Sequence, residues 1–394
     1  MTRDALPCRL GALLALLLGL TSAVGAQDGP LAGDPFRGRE LLSVKLCTQC
    51  HSVWGHGGQL APDMSTAVAG KSRFDLVGDF WNHTPRMIDA MSERGHAWPT
   101  LDKKDMADLL SYLYYLRLFD RPGDVARGAV AYSQHKCSTC HSLGGKGGAH
   151  GGPLDRFSAY PSSVVLAQSM WNAGPRMQRD QLGQGTAIPT FLSGEMADLQ
   201  AYIRANGLRS DIRVDLLPLP DPARGAQVFR AKRCVACHQA GGPGPPLASA
   251  ARGRTVSEIG GILWNHSYAM NDLMRAAGIP FPRFERTEMS DLISHLYFLS
   301  FVGRPGRPRE GAALFAEKGC AGCHRGTSAA VDLAGSSVAA DSTALSAAMW
   351  NHAPEMHTLM AERAVAWPKF EVGEMEDLAA YLRTITKPQG PGGH

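Results

Sequence analysis

Gly311-Ala312-Ala313-Leu314-Phe315-Ala316-Glu317-Lys318-Gly319-Cys320-Ala321-Gly322-Cys323-His324 runs a short helical pattern directly into two cysteines and a histidine. Three other stretches follow the same plan. Gly38 leads to Cys47-Thr48-Gln49-Cys50-His51, Gly128 to Cys137-Ser138-Thr139-Cys140-His141, and Gly225 to Cys234-Val235-Ala236-Cys237-His238. In each, the glycine stands nine residues before the first cysteine. The first cysteines lie 90, 97 and 86 residues apart, so the chain is built of four units of that length.

More than the cysteines recurs. Each unit carries a Trp-Asn pair: Trp81-Asn82, Trp171-Asn172, Trp264-Asn265 and Trp350-Asn351. Seventeen residues after each tryptophan comes a bulky apolar residue and a proline. Each unit then ends in an amphipathic helix that opens Asp105-Met106, Glu195-Met196, Glu288-Met289 or Glu374-Met375, with apolar positions three and four apart. Acids in its first turn suit the helix dipole. Units one and two join through Phe119-Asp120-Arg121-Pro122-Gly123, and units three and four through Phe301-Val302-Gly303-Arg304-Pro305-Gly306. A longer stretch with Pro218 and Pro220 separates the halves, so the pattern reads as a duplicated two-unit module with a spacer.

The chain has 394 residues and a formal net charge of +4. That charge is mild and scattered, which argues against nucleic acid as a partner. Arg3 and Arg9, the apolar run Leu10 to Leu20, and Val24-Gly25-Ala26 read as a secretory signal over residues 1–26. Nothing after it is apolar for the roughly 20 residues a membrane span needs. Of nine cysteines, Cys8 falls in the signal and the other eight fall in the four motifs.

In Cys-x-x-Cys-His the two thiols add to the vinyl groups of haem, and the histidine is held beneath the iron. A dithiol redox site would need a strand-helix setting, and zinc a second ligand pair in each unit; neither is visible. Cys47, Cys50, His51, Cys137, Cys140, His141, Cys234, Cys237, His238, Cys320, Cys323 and His324 are therefore the expected sites of four covalent haem c groups. On these motifs, the glycine-bearing helix before them and an Asp-Leu-x-x-Tyr helix such as Asp198-Leu199 to Tyr202, each unit resembles the class I cytochrome c domain. The resemblance implies an all-α chain of four tandem domains, each with crossed terminal helices around one haem. The boundaries expected are 34–120, 121–208, a linker at 209–220, then 221–303 and 304–388. It also implies a loop proline orienting each proximal histidine: Pro62, Pro153 and Pro246, with Ala330-Val331-Asp332-Leu333 standing there in unit four.

The family takes its distal methionine from a Met-Pro pair before the last helix. Here those pairs are Trp98-Pro99, Ile188-Pro189, Phe281-Pro282 and Trp367-Pro368, and none can ligate iron. Six residues after the recurring tryptophan stand Met87, Met177, Met270 and Met356, which are the expected distal ligands because they alone serve every unit. The alternatives are His83, His266 and His352, replaced by Ala173 in unit two, and then Met91, Met274 and Met360, replaced by Gln181. The tryptophan reads as a wall of the haem pocket and the asparagine as a helix cap or ligand partner. The leader and the resemblance together imply a periplasmic electron carrier in a respiratory chain, with redox proteins as partners, a membrane oxidoreductase complex among them. The competing readings are a haem enzyme with an open iron in unit two, and a cytochrome subunit of a larger complex.

Overall fold

The computed structural model describes residues 31–208, 218–239, 241–326, 330–336, 338 and 341–385. The signal segment and most of the linker, 209–217, lie outside them. Each unit has three principal helices. The first helices are Pro35–Val44, Val125–Gln134, Pro222–Ala231 and Pro308–Glu317. The long helices are Arg73–Glu93, Val164–Gly183, Val256–Ala276 and Ser342–Glu362. The closing helices are Lys103–Tyr115, Glu195–Asn206, Glu288–Val302 and Glu374–Ile385. Among the described residues the only strands are two tiny hairpins after the first two motifs, Ser52–Val53 with His56–Gly57 and Ser142–Leu143 with Lys146–Gly147.

The recurring glycine is where the first and closing helices cross. A Cβ on Gly38, Gly128, Gly225 or Gly311 would stand 1.9–2.0 Å from the backbone carbonyl oxygen of Asp108, Asp198, Asp291 or Asp377. Only a residue without a Cβ permits that approach. The same aspartates bind the crossing from the other side. Their Oδ1 atoms accept from the backbone N–H of Asp34, Asp124, Asp221 and Arg307, each at 2.7 Å. Arginines close the pairs: Arg37 on Asp108, Arg127 on Asp198, Arg224 on Asp291, and both Arg304 and Arg307 on Asp377. These aspartates, three residues after the acid that opens each closing helix, are buried inter-helix locks. Two residues before these aspartates, Met106, Met196, Met289 and Met375 are fully buried in the unit cores.

Contacts between units cross the two halves of the chain. Trp81 Nε1 donates to Pro368 O at 2.8 Å, and Asn82 clamps the backbone of Phe370, donating to its O at 2.8 Å and accepting from its N at 2.8 Å. Unit four reciprocates: Trp350 donates to Pro99 O and Asn351 clamps Leu101. Units two and three do the same, with Trp171 on Pro282, Asn172 on Phe284, Trp264 on Pro189 and Asn265 on Phe191. The interlocked pairs are therefore one with four and two with three, not the neighbours in sequence. This still fits a duplicated module. An operation that carries unit one onto three and two onto four turns the first interlock into the second.

Units one and three meet along their closing helices. Tyr114 is fully buried, donates to Ser294 O at 2.6 Å and packs on Phe301. Leu109 and Leu113 share a cluster there with Leu292, Ile293 and Leu296. Arg117 lies over the Phe301 ring and donates to Lys71 O; burial lowers its pKa to about 10, so it stays charged near neutrality. Asp120, in the connection between units one and two, accepts from Ser163 Oγ and from Ser257 N, tying unit two to unit three.

Two outcomes follow from these contacts. Gly128→Ala or Gly311→Ala forces two helices apart against backbone, and is expected to cost about 3 kcal/mol or more in equilibrium unfolding. For Asp377, burial alone raises the carboxyl pKa, but hydrogen bonds from Arg304 and Arg307 outweigh it and hold the group far below the usual range. A depressed carboxylate contributes stability above its unfolded pKa of about 4, and loses it as pH falls toward the folded value. Asp377→Asn should therefore melt below the wild type at neutral pH by circular dichroism, with the gap narrowing steadily below about pH 4.

Candidate functional site

Each Cys-x-x-Cys-His folds into one tight turn. The histidine N–H donates to the first cysteine's carbonyl at 2.9 Å in all four units. The residue before the first cysteine is left-handed every time: Leu46 at φ 64°, Lys136 at 53°, Arg233 at 63° and Gly319 at 77°. Three units hold a side chain in that strained region at the same place, as functional sites often do. All eight cysteines are half-buried. Burial pushes Cys47, Cys137 and Cys234 up to about 11.

The proximal histidines are all oriented alike. His51 Nδ1 bonds Pro62 O at 2.8 Å, His141 bonds Gly152 O at 2.7 Å, His238 bonds Pro245 O at 3.0 Å and His324 bonds Val331 O at 3.0 Å. A carbonyl partner fixes the proton on Nδ1 and leaves the Nε2 lone pair for a metal. The expected loop prolines need restating. Pro62 supplies its own carbonyl, whereas Pro153 and Pro246 follow the residue that accepts; proline holds its predecessor extended. Unit four makes the same bond through Val331 with no proline. Two loop glycines press on these rings: a Cβ on Gly151 would lie 2.4 Å from His141 Nδ1, and on Gly244 2.8 Å from His238 Nδ1.

The long helices carry all distal candidates. At about 100° per residue, a histidine two positions after the tryptophan sits near 200° and a methionine six positions after it near 240°. Both point away from the tryptophan. The tryptophan face is committed to the neighbouring unit, so it is not a wall of its own unit's site. The opposite face turns to the motif. His83 and His51 face each other with ring centroids 6.4 Å apart, and His352 and His324 do so at 6.2 Å. His83 Nδ1 is tied to Asp79 O, His266 Nδ1 to Ile262 O at 2.9 Å, and His352 Nδ1 lies 3.2 Å from Glu355 Oε2. Met87 is half-buried on its helix. Met270 and Met356 pack against core clusters, as does Met177.

Unit two shows its site as a cavity of about 510 Å³. Cys137, Cys140 and His141 line it together with Met177, Ala173 and Gln181. Its apolar wall comes from the unit core, including Leu154, Phe157, Leu166, Leu199 and Ile203. A planar macrocycle fits this arrangement: two thiols, one imidazole with a free Nε2, and apolar surroundings of ligand-pocket size. The facing rings of units one and four fit as well. Two metal–nitrogen bonds of about 2 Å with two half-rings span roughly 6 Å. Gly151→Ala is expected to tilt His141 and perturb one haem alone. Optical and paramagnetic resonance spectra should show one low-spin signal altered and three kept.

Sequence reasoning did not find the glycine–carbonyl crossings' aspartate locks or the partners of the Trp-Asn pairs. One signal bore on the latter: only units one and four have tryptophan before the loop proline, and only they interlock through stacked tryptophans. Trp81 stacks on Trp367 at 4.3 Å and Trp350 on Trp98 at 4.5 Å.

No curated protein and no solved structure matches the chain. A family model does match, that of Cytochrome c, and it does so four times in tandem, over residues 36–117, 125–206, 222–299 and 308–386. Each match spans one glycine-crossed helix pair and one Cys-x-x-Cys-His turn, and together they take in most of the sequence; the chain belongs to the cytochrome c family, a family of electron-transfer domains.

Proposed function

We propose that the chain is an exported, periplasmic tetrahaem c-type cytochrome that carries electrons between redox proteins of a respiratory chain and is not an enzyme. The observation that carries this reading is the fourfold recurrence of one arrangement: two cysteines and a histidine on one turn, with Nδ1 tied to a loop carbonyl and Nε2 free. Thioethers form at Cys47 and Cys50, Cys137 and Cys140, Cys234 and Cys237, and Cys320 and Cys323. When bound, each haem supplies one-electron iron chemistry. The chain's part is to hold each iron axially, keep water from it, and place the sites close together. Between units one and four a run of rings supports that placement: His83 to Phe80 at 6.4 Å, then Phe80 to Trp350 at 6.2 Å.

The basic, then apolar, then small-residue leader supports export. Among the described residues no helix is long and apolar enough to cross a membrane, which suits a carrier that docks on redox partners, a membrane oxidoreductase complex among them. The test is expression with the leader in a host that matures c-type cytochromes. The periplasmic product should contain four haems per chain by pyridine haemochrome and by mass, and should reduce and reoxidise without turnover of a substrate. Fewer than four haems, or alkylatable cysteine thiols in the purified protein, would refute it.

A further inference from the structure

We propose that the four sites are of two kinds: His83, His266 and His352 are the distal ligands in units one, three and four, and Met177 is the distal ligand in unit two. This rests on haem attachment at each motif, as proposed above. Geometry carries the assignment in units one and four. Two imidazoles, each free at Nε2, face one another across 6.4 and 6.2 Å, the span that one six-coordinate iron requires. The Nδ1 of each ring is already engaged, His83 by Asp79 O and His352 by Glu355. That outer partner is the usual mark of a metal-binding histidine. His266 holds the same helix position with its Nδ1 on Ile262 O at 2.9 Å. In these units the histidine stands closer to the tryptophan than the methionine one turn further on and takes the sixth position; Met270 and Met356 pack on core clusters, as Met177 does.

Unit two cannot follow them, because Ala173 replaces the histidine. Its cavity contains two other histidines, but both have Nε2 committed to a carboxylate: His135 to Glu195 at 3.1 Å and His150 to Asp180 at 3.2 Å. Of the two methionines lining the cavity, Met170 is the more deeply placed, buried in the unit core. Met177, half-buried and one turn past Ala173, lines the cavity together with His141 and is the donor left for it. A thioether opposite histidine raises a haem potential relative to two histidines. Unit two would therefore hold the site of highest potential.

The test uses the full chain with its haem count established independently, so that failure of haem attachment and failure of this assignment are separable. The ferric protein should show the far-red thioether-to-iron band at the amplitude of one haem in four. Met177→Ala should abolish the band and leave one high-spin haem. Met177→His should abolish it, keep all four haems low-spin, and move the highest potential downward. Met87→Ala, Met270→Ala, Met356→Ala and Met170→Leu should leave the band unchanged. His83→Ala, His266→Ala and His352→Ala should each convert one low-spin haem to high-spin. A band of more than one haem's amplitude, its loss in any methionine variant other than those at 177, or a high-spin haem in the wild type would overturn the proposal.

Discussion

The arrangement of the whole molecule depends on one clamp, made four times. An indole N–H and a primary amide reach out of one unit and take the backbone of another, just after its loop proline. The amide both donates to and accepts from a single residue, so it fixes position and direction as a strand pairing would. Each such bond contributes about 1 kcal/mol, but leaving the buried backbone groups unmatched costs about 1–3 kcal/mol each. A unit separated from its partner therefore exposes more than an apolar patch. It exposes a loop whose backbone has lost its complement, and a unit of this length has little core with which to offset that.

The clamp also accounts for two features that look like faults in isolation. Pro85 and Pro354 sit inside long helices, where each removes a backbone donor and strands the carbonyl four residues earlier. Those carbonyls belong to Trp81 and Trp350. Each is taken by the indole of the partner's loop tryptophan, Trp367 at 3.0 Å and Trp98 at 3.1 Å. The proline and the tryptophan are thus two halves of one device split between units. The second interlock uses Ile188 and Phe281, which have no side-chain donor. There unit two keeps the proline, Pro175, opposite Phe281 and so without an indole donor, whereas the helix of unit three has Tyr268 in its place and Trp264 O accepts from Ser267 within its own helix.

Recurrence made the fold legible: four copies of a glycine, a cysteine pair and a closing helix specify a crossed-helix unit wherever they stand. It could not specify which copy receives which. A repeat shows what every unit offers, and Trp-Asn was read as serving its own unit because nothing local says otherwise. The partners of the buried aspartates were out of reach for the same reason. In sequence Asp377 is only an acid in a first turn; its partners Arg304 and Arg307 lie some seventy residues earlier, and only the helix crossing brings them together.

The missing Met-Pro pairs are then explained by division of labour on a helix. In the family's usual arrangement the loop before the closing helix supplies a ligand. Here that loop is the surface by which units grip one another, so it cannot also turn inward to an iron. On the assignment proposed above, the ligand comes from the long helix, whose face opposite the tryptophan turns to the Cys-x-x-Cys-His motif. One rigid element thus reads the neighbouring unit on one side and its own site on the other. With the ligands proposed above, rotation or sliding of that helix could not loosen the interface without moving the ligand, which would couple the coordination of each iron to the integrity of the assembly.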